Sequence, residues 1–230
     1  MRLAITCPVY SREWILPRWY KCILAQGFDP KNIDLIFGIT DGEDGTREVI
    51  AKYEHYFNDT TIIDCNDLEP FGDRNPQRFY PLAEIRNRII DLLKDRDYDY
   101  WWSYDTDILV PDDCLKTLIT DLQSDDVDIV APWVALVPSG DIPNCAHRRQ
   151  LSDQFWRRKP YSQYYPKGSL YPMDTVFAIF AAKPWIYETF RYGWHQGGED
   201  YYWGNQVIDG GVKSWVDGRI IGDHIYKRDC

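Results

Sequence analysis

Short apolar segments alternate with amphipathic helical patterns along most of this chain, and that alternation restricts its fold more than any other feature. Strand-like segments end at Cys7, at Ile39 and at Asp64, each followed by polar or helical sequence. Parallel strands need long crossover connections, usually helices, whereas antiparallel strands can be joined by a tight turn. The alternation therefore predicts an α/β fold, with a mostly parallel central sheet and helices on both faces.

The expected elements follow from hydrophobic periodicity and from the positions of proline and glycine. Strands are expected at 2–7, 33–39 and 61–64, from Tyr100 onward, and at 128–133, 176–182, 214–216 and 219–221. Helices are expected at 11–23, 47–56, from Pro81 onward, at 112–122, from Pro184 onward, and at 199–208. Pro17 is expected to kink or restart the first helix, because proline has no amide donor. At 230 residues the chain fits a single domain.

The stretch from Tyr100 to Pro111 is the strongest candidate for chemistry. A buried strand leads into two carboxylates, Asp105 and Asp107. If the strand continues through Asp107, both side chains point to the same side of the sheet, where their charges repel unless a cation lies between them. Mg²⁺ and Mn²⁺ bind carboxylate oxygens, often together with substrate phosphates. The pattern indicates a metal–diphosphate site, and the alternative is an acidic turn that caps the next helix.

Other candidate residues follow other strands of the same expected sheet. Pro8 to Tyr10 follow the first strand, and Asp41 follows the second. In open α/β sheets ligands bind beyond the carboxyl ends of the strands, so these positions are expected to meet. Asp41 suits hydrogen bonds from a base or a ribose, although the stretch from Asp41 to Thr46 also fits an ordinary polar turn.

Arg86 and Asn87 lie in the amphipathic helix that is expected from Pro81 onward, beside apolar residues. A buried arginine needs a partner of opposite charge. Either a nucleotide or the Asp105–Asp107 pair would provide one. The alternative is a charge on the exposed surface of the helix.

The stretch from Gly193 to Asp200 combines glycines, an aromatic plane and two acids at a helix start. Trp194 offers a stacking surface, and the helix dipole favours the ionised forms of Glu199 and Asp200. A carboxylate held there suits removal of a proton from an acceptor hydroxyl, whereas simple helix capping is the alternative. His224 follows the last strand and has either a structural role or a role as a neutral imidazole ligand of the metal.

Charge and composition exclude several classes of protein. The net charge of −10 disfavours broad attraction to nucleic acid or to anionic membranes. The aromatic share of 16% suits stacking on sugars or bases. The six cysteines are dispersed without zinc spacing, and the sequence shows neither an export signal nor a run of about 18 apolar residues. We therefore expect reduced thiols, no membrane span and a cytoplasmic location.

A segment of about 138–172 breaks the strand–helix pattern and is rich in Pro, Tyr, Arg and Lys. Loops this long are usually functional or disordered. The basic and aromatic part from Gln154 to Lys167, with His147 to Arg149 before it, suits covering a diphosphate, holding an acceptor or contacting nucleic acid. The alternative is a solvated insertion.

In this order, the motifs resemble those of the glycosyltransferases of the GT-A fold, especially family 2 and the metal-dependent galactosyl- and N-acetylgalactosaminyltransferases. The resemblance rests on the nucleotide loop Cys7 to Tyr10, the Asp-Gly-Ser-x-Asp-Gly-Thr-like loop Thr40 to Thr46, the helical Arg86-Asn87, the DxD-like Asp105 to Asp107, the Trp-Gly-Gly-Glu-Asp-like Trp194 to Asp200, and His224. It covers most of the chain but not the insertion. The sequence departs from the family pattern at His195 and Gln196, which interrupt the Trp-Gly-Gly-Glu-Asp spacing, and before Thr175, where the usual glycine is absent.

The resemblance implies a nucleotide-diphosphate sugar donor, most simply a UDP-sugar, with Mn²⁺ or Mg²⁺ as cofactor. It implies a nucleotide pocket formed by Pro8, Tyr10, Asp41, Arg86, Asn87, Asp105, Thr106 and Trp194. It also implies metal ligation by Asp105, Asp107 and His224, and catalysis by Asp200 as general base with Glu199 beside it. Retaining relatives carry Glu-Asn where this chain has Glu199-Asp200, which favours inversion at the sugar. The nucleotide-binding half is expected at about 1–110 and the acceptor half at about 111–230.

Two other functions remain open. A sugar-phosphate nucleotidyltransferase would keep the fold, but no glycine-rich, lysine-bearing triphosphate loop follows the first strand. A non-catalytic carbohydrate-binding module would keep the scaffold, although Asp105, Asp107, Asp200 and His224 are all in place. The acceptor is expected to be a glycan, a protein or a modified nucleic-acid base.

Overall fold

The computed structural model describes residues 1–68, 76–136, 143–146 and 168–226. The basic part of the expected insertion, from His147 to Lys167, lies outside the described residues, and so does the segment 69–75. Within the described part of the chain, every helix is too short or too polar to cross a membrane. The cysteines at 7, 22, 65, 114 and 145 are free thiols, as expected.

The strands of the described residues, in chain order, are β1 (Leu3–Val9), β2 (Ile33–Ile39), β3 (Asp59–Asp64), β4 (Tyr100–Tyr104), β5 (Ile108–Leu109), β6 (Ile129–Val134), β7 (Cys145–Ala146), β8 (Leu170–Met173), β9 (Thr175–Val176), β10 (Ile179–Ala182) and β11 (Ser214–His224). The helices are α1 (Leu16–Leu24), α2 (Thr46–Tyr53), α3 (Phe79–Lys94), α4 (Cys114–Leu122), α5 (Trp185–Thr189) and α6 (Glu199–Asp209). Short 3₁₀ turns precede β2, follow α2 and precede α3.

The main sheet has the order β3-β2-β1-β4-β10-β6-β11-β5, and β8 pairs with β11 at the side. Strand β1 runs parallel to β2 and to β4, β2 runs parallel to β3, and β6 runs parallel to β11. Strand β10 is antiparallel to both of its neighbours, β4 and β6. The predicted α/β fold with a mostly parallel sheet is therefore confirmed, with an antiparallel strand inserted beside β4.

Helices cover the two faces of this sheet with separate apolar cores. One core takes Trp19 and Tyr20 from α1, together with residues of α2 and α4. The other takes Ile85 from α3 and Trp203 from α6, together with residues of α5. Each large apolar side chain buried in this way contributes about 1.5–3 kcal/mol relative to exposure. Packing on both faces therefore stabilises the sheet.

Three predicted boundaries are wrong, each for a local reason. Helix α1 begins at Leu16 rather than near Ser11, because Pro17 fits the first helical turn and Ser11 has a φ of 50°. The strand expected at 176–182 is divided into β9 and β10 at Ala178, whose φ is 63°. The two short strands expected at 214–216 and 219–221 are one strand, β11, with an irregularity between Asp217 and Ile221.

Candidate active site

A cleft of about 300 Å³ lies at the carboxyl ends of β1 and β4, beside the first turns of α3. Its lining is Pro8, Val9, Tyr10, Arg12, Arg78, Phe79, Leu82, Arg86, Asp105, Thr106 and Asp107. Six of these residues were predicted from the sequence, namely Pro8, Tyr10, Arg86, Asp105, Thr106 and Asp107. The parallel pairing of β1 with β4 explains why these residues lie together, because it brings the carboxyl ends of both strands to the same edge of the sheet.

The two carboxylates of the Asp105–Asp107 segment take different partners. Strand β4 ends at Tyr104, and the segment forms a turn in which the amide of Ile108 donates to the carbonyl of Asp105 at 3.2 Å. Because the strand does not continue to Asp107, the predicted alternation that would place both side chains on one side is wrong. Both side chains still line the cleft, but each faces a different arginine.

Arg86 is buried in α3 and holds two acids that are distant in sequence. Its Nη2 donates to Asp105 Oδ1 at 3.2 Å, and its Nε donates to Glu199 Oε1 at 3.1 Å. Its Cζ lies 5.3 Å from the ring centre of Tyr192, a cation–π distance. The acid cluster therefore provides the partner that a buried arginine needs, and the surface alternative is excluded.

Asn87, which was expected in the nucleotide pocket, is absent from the lining of the cleft. Its amide nitrogen donates to the carbonyl of Tyr192 at 3.0 Å, and the amide of Tyr192 donates to Asn87 Oδ1 at 2.9 Å. This reciprocal pair fixes Tyr192 against Arg86. Asn87 therefore contacts Tyr192, whose ring lies against Arg86.

Glu199 and Asp200 begin α6 after Gly198, whose φ of 124° is readily available only to glycine. Burial, followed by the charge of Glu199, raises the pKa of Asp200 to about 8. Burial also raises the pKa of Glu199, although Arg86 opposes that shift. One cation thus faces an excess of negative charge here, and a carboxyl with a pKa near neutrality suits general base catalysis.

Ala178 links the acids of β4 and α6 through its backbone. The amide of Asp105 donates to the carbonyl of Ala178 at 3.1 Å, and Asp200 accepts a hydrogen bond from the backbone of Ala178. The positive φ of Ala178 is unusual for a residue with a side chain. Such strain tends to persist where the surrounding structure requires it, often at functional sites.

His224 meets Asp107 because the end of β11 pairs with β5. The distance from His224 Nε2 to Asp107 Oδ2 is 3.7 Å, and His224 Nδ1 lies 3.0 Å from the hydroxyl of Tyr226. That hydroxyl donates to the carbonyl of Leu136 at 2.8 Å. It therefore accepts from Nδ1–H, so Nε2 is the ring nitrogen directed to Asp107, carrying a proton in the imidazolium form and a lone pair in the neutral form.

The neighbouring charges also shift the pKa values of Asp107 and His224. Burial alone would raise the pKa of Asp107, but His224 and Arg12 hold it below its ordinary value. Burial alone would lower the pKa of His224, but Asp107 holds it above its ordinary value. A carboxylate oxygen beside an imidazole nitrogen is a donor set that suits Mn²⁺ or Mg²⁺.

Asp105 does not complete that set. Among the described residues, no three His, Cys, Asp or Glu side chains form a ready metal cluster. The carboxylate of Asp105 is directed to Arg86 instead. The residues present therefore fit a divalent cation through Asp107 and His224, with the remaining ligands from substrate oxygens or water, as is common for Mg²⁺.

Arg12 was missed in the sequence, although it lines the cleft. Its Nη2 donates to Asp107 Oδ2 at 3.0 Å. Arg78 and Phe79 were also missed; they line the same cleft, with the Cζ of Arg78 5.0 Å from the ring centre of Phe79. The available signal was position, because Arg12 follows the predicted nucleotide loop by two residues and Arg78 precedes the strong amphipathic helix.

Asp41 and Trp194 are absent from the lining of the cleft. Asp41 follows β2, and its carboxylate accepts from Arg47 and from the amide of Asn66. Trp194 is 52% exposed and so presents its ring to solvent. Both remain predicted contacts of a larger ligand rather than members of the acid and arginine cluster.

A second, larger groove of about 640 Å³ lies near the start of β11, whereas His224 lies at its end. Its lining includes Asp126, Lys213 and Trp215 but none of the predicted site residues. Volume alone would favour this groove. The convergence of strand ends, arginines and acids with shifted pKa values favours the smaller cleft as the site of chemistry.

The chain resembles known proteins in its sequence at the level of a family and in its fold. Residues 5–180 match the model of the family described as Glycosyl transferase family 2. No curated protein sequence matches the chain.

Solved structures share the fold at low identity. GalNAc-T7 with UDP, GalNAc and Mn²⁺ is 16% identical with a TM-score of 0.69, over 98% of this chain and 44% of that one. S. aureus TarS in complex with UDP is 13% identical with a TM-score of 0.63, over 97% of this chain and 60% of that one. The mannosyltransferase PcManGT from Pyrobaculum calidifontis, with GDP-Man and Mn²⁺, is 14% identical with a TM-score of 0.62, over 99% of this chain and 58% of that one. The chain thus spans less than two thirds of the length of each protein.

Proposed function

The chain belongs to glycosyl transferase family 2, and from that premise we propose that it transfers a sugar from a nucleotide-diphosphate donor to an acceptor hydroxyl. The observation that carries the proposal is the cleft at the carboxyl ends of β1 and β4, where Asp105 and Asp107 meet Arg12 and Arg86. Cations suit the phosphates, and acids suit the metal and the proton to be removed. We propose UDP as the nucleotide, since UDP is present in the solved GalNAc-T7 and TarS structures.

In the proposed donor complex, Pro8, Tyr10 and Thr106 form the nucleotide end of the cleft. Asp41 and Trp194 add contacts from outside its lining. Arg12 and Arg78 face the diphosphate, because guanidinium groups bind phosphate oxygens in bidentate fashion. Asp105 orients Arg86 and accepts hydrogen bonds from the donor.

Asp107 and His224 would hold Mn²⁺ or Mg²⁺, with Asp105 close by. When bound, this cation supplies electrostatic stabilisation for the charge that develops on the leaving diphosphate. Tyr226 keeps the Nε2 lone pair of His224 available by accepting from the other ring nitrogen. GalNAc-T7 and PcManGT were solved with Mn²⁺, which supports the choice of metal.

Asp200 is the proposed general base. It takes the proton of the acceptor hydroxyl while the oxygen attacks the anomeric carbon opposite the leaving diphosphate, so the stereochemistry inverts. Its pKa of about 8 gives it the basicity for this task near neutral pH. Glu199 is paired with Arg86. Asp200 is therefore the carboxylate that accepts the proton.

We also propose that residues of about 1–110 form the nucleotide-binding half and residues of about 111–230 the acceptor half. Arg12 and Arg86 belong to the first half, whereas Asp200 and His224 belong to the second. Contacts such as Arg86 with Glu199 join the two, so neither half holds the complete site.

Product analysis tests the proposed reaction against its alternatives. The chain is incubated with a panel of UDP- and GDP-sugars, with Mn²⁺ or with EDTA, and the released nucleotide is identified by chromatography. Free UDP that depends on Mn²⁺ supports glycosyl transfer. Pyrophosphate released from a nucleoside triphosphate and a sugar phosphate would instead identify a nucleotidyltransferase. Sugar binding without any turnover would indicate a carbohydrate-binding module.

A further inference from the structure

Both carboxylates of the Asp105–Asp107 segment carry an arginine, but the two arginines differ in freedom. The Arg86 side chain is 6% exposed and is held by two acids. The Arg12 side chain is 33% exposed and donates to Asp107 from within the cleft. Arg86 is therefore fixed, whereas the guanidinium of Arg12 can turn without moving buried groups.

The backbone of Arg12, in contrast, is held firmly. Its amide donates to Thr46 Oγ1 at 2.8 Å, and Thr46 Oγ1 in turn donates to Asp44 Oδ1 at 2.6 Å. Asp44 Oδ2 accepts from the amide of Glu13 at 3.1 Å. The loop between β1 and α1 is thus tied to the loop before α2, and only the side chain of Arg12 is left to move.

The oxygen that Arg12 binds is the one that the proposed metal site needs. Arg12 Nη2 lies 3.0 Å from Asp107 Oδ2, and His224 Nε2 lies 3.7 Å from the same oxygen. A guanidinium and a divalent cation repel each other at such distances. A cation held by Asp107 and His224 would therefore displace the contact between Asp107 and Arg12.

A diphosphate in the same cleft would give Arg12 another partner. Phosphate oxygens are strong acceptors for guanidinium groups, and charge-assisted hydrogen bonds of this kind are about twice as strong as neutral ones. Arg78 also lines the cleft and adds a second guanidinium to it.

We propose that Arg12 is an exchangeable counter-cation: it neutralises Asp107 in the donor-free cleft and passes to the donor diphosphate when a divalent cation takes Asp107 and His224. This inference rests on the proposed function. It makes the cation and the diphosphate cooperative ligands, because each removes an obstacle to the other. By linkage, each then raises the affinity of the other by the same factor.

Isothermal titration calorimetry measures this exchange with three probes: Mn²⁺ alone, UDP alone in EDTA, and UDP with saturating Mn²⁺. For Arg12→Gln we expect the affinity for Mn²⁺ alone to rise about tenfold and that for UDP in EDTA to fall about tenfold, since a charge-assisted hydrogen bond is worth about 1.5–3 kcal/mol. The factor by which UDP strengthens Mn²⁺ binding should shrink accordingly. Arg12→Lys, which keeps the charge, should retain the weak binding of Mn²⁺ alone.

The matched control is Arg88→Gln, on the same helix as Arg86 but paired with Asp67 outside the cleft. It should leave all three titrations unchanged, and thermal unfolding should show each variant folded. If Arg12→Gln binds Mn²⁺ alone no more tightly than the wild type, the exchange is overturned while the proposed function stands. If the wild type binds neither UDP nor GDP with Mn²⁺, the proposed function fails and this inference fails with it.

Discussion

On one side of the cleft a single buried arginine faces three carboxylates, whereas on the other side one accessible arginine faces one carboxylate that borders a histidine. We refer to the first group, Arg86, Asp105, Glu199 and Asp200, as the buried side. We refer to the second group, Arg12, Asp107 and His224, as the open side. The buried side has excess negative charge, and the pKa of Asp200 rises there to about 8. On the open side the charges balance, and the pKa of Asp107 falls.

This difference shows how Asp105 and Asp107, two residues apart in the sequence, can belong to groups with separate tasks. Burial makes ionisation costly, so the buried side retains a proton-accepting group of high basicity. Asp105 and Asp107 are similarly exposed, at 25% and 20%, so the sides differ in their arginines: Arg86 is 6% exposed and Arg12 is 33% exposed. The more exposed Arg12 can exchange partners, so the open side suits the binding and release of ions. The comparison predicts that variants of the buried side change turnover or folding, whereas variants of the open side change ligand affinity.

The sharpest test of the buried side is Asp200→Asn, which removes the proposed base without changing its shape. We expect turnover to fall about a thousandfold, within the usual contribution of general base catalysis. UDP affinity in Mn²⁺ should stay within about threefold, because the base does not touch the diphosphate in this scheme. Steady-state kinetics with calorimetry measures both quantities.

The control for that variant is Asp209→Asn, at the exposed far end of the same helix. It should keep full turnover. Wild-type turnover in Asp200→Asn would remove Asp200 as the base and would erase the difference between the two sides.

Arg86→Met tests whether the buried side depends on its one cation. Removing one partner of a buried ion pair leaves uncompensated charge, so we expect the free energy of unfolding to fall by about 3 kcal/mol. Urea denaturation followed by fluorescence measures the change. Arg88→Met, two positions further along α3 and outside the cleft, should change stability little. Equal stability of the two variants would show that Arg86 does not balance the acids.

Asp107→Ala tests the open side. It removes the carboxylate that borders His224 and Arg12, so Mn²⁺-dependent UDP binding should weaken at least about tenfold, as loss of groups around metal sites typically does. The free energy of unfolding should change less than in Arg86→Met, since Asp107 is partly exposed. An unchanged calorimetric titration would contradict its role as a ligand.

The pH dependence of stability separates the two sides by sign. The pKa of Asp200 is raised from 3.8 to about 8 by folding. Its protonated form therefore stabilises the fold at low pH, and that contribution is lost as the pH rises between these two values. The free energy of unfolding of the wild type, measured relative to Asp200→Asn, should fall across this window. A flat difference between the two proteins would show that the pKa of Asp200 is not raised.

Several parts of the site could be predicted from the sequence because they depend on local pattern and strand position. The acids after β4, the loop after β1 and the start of α6 were found in this way, and family membership is confirmed by the match over residues 5–180. The apolar neighbours of Arg86 suggested a buried arginine with a nucleotide or an acidic partner, and the structure decided against the surface alternative. The roles of these residues in binding and catalysis stay predictions.

Other parts depend on contacts that no local pattern contains. The pairing of Arg12 with Asp107 joins residues 95 positions apart, and that of Arg86 with Glu199 joins residues 113 positions apart. The sequence left open whether the strand continues through Asp107, because the strand pattern does not show where pairing stops; the structure ends it at Tyr104. The insertion at about 138–172 lies largely outside the described residues and stays a prediction.

By itself, the sequence determined the class of fold and the edge of the sheet where polar residues gather, because hydrophobic periodicity specifies which segments are strands and helices. Only the tertiary structure decided which cation each acid received. That choice depends on the order of strands in the sheet and on the depth of each side chain, since burial and neighbouring charge together set the energy of an ion.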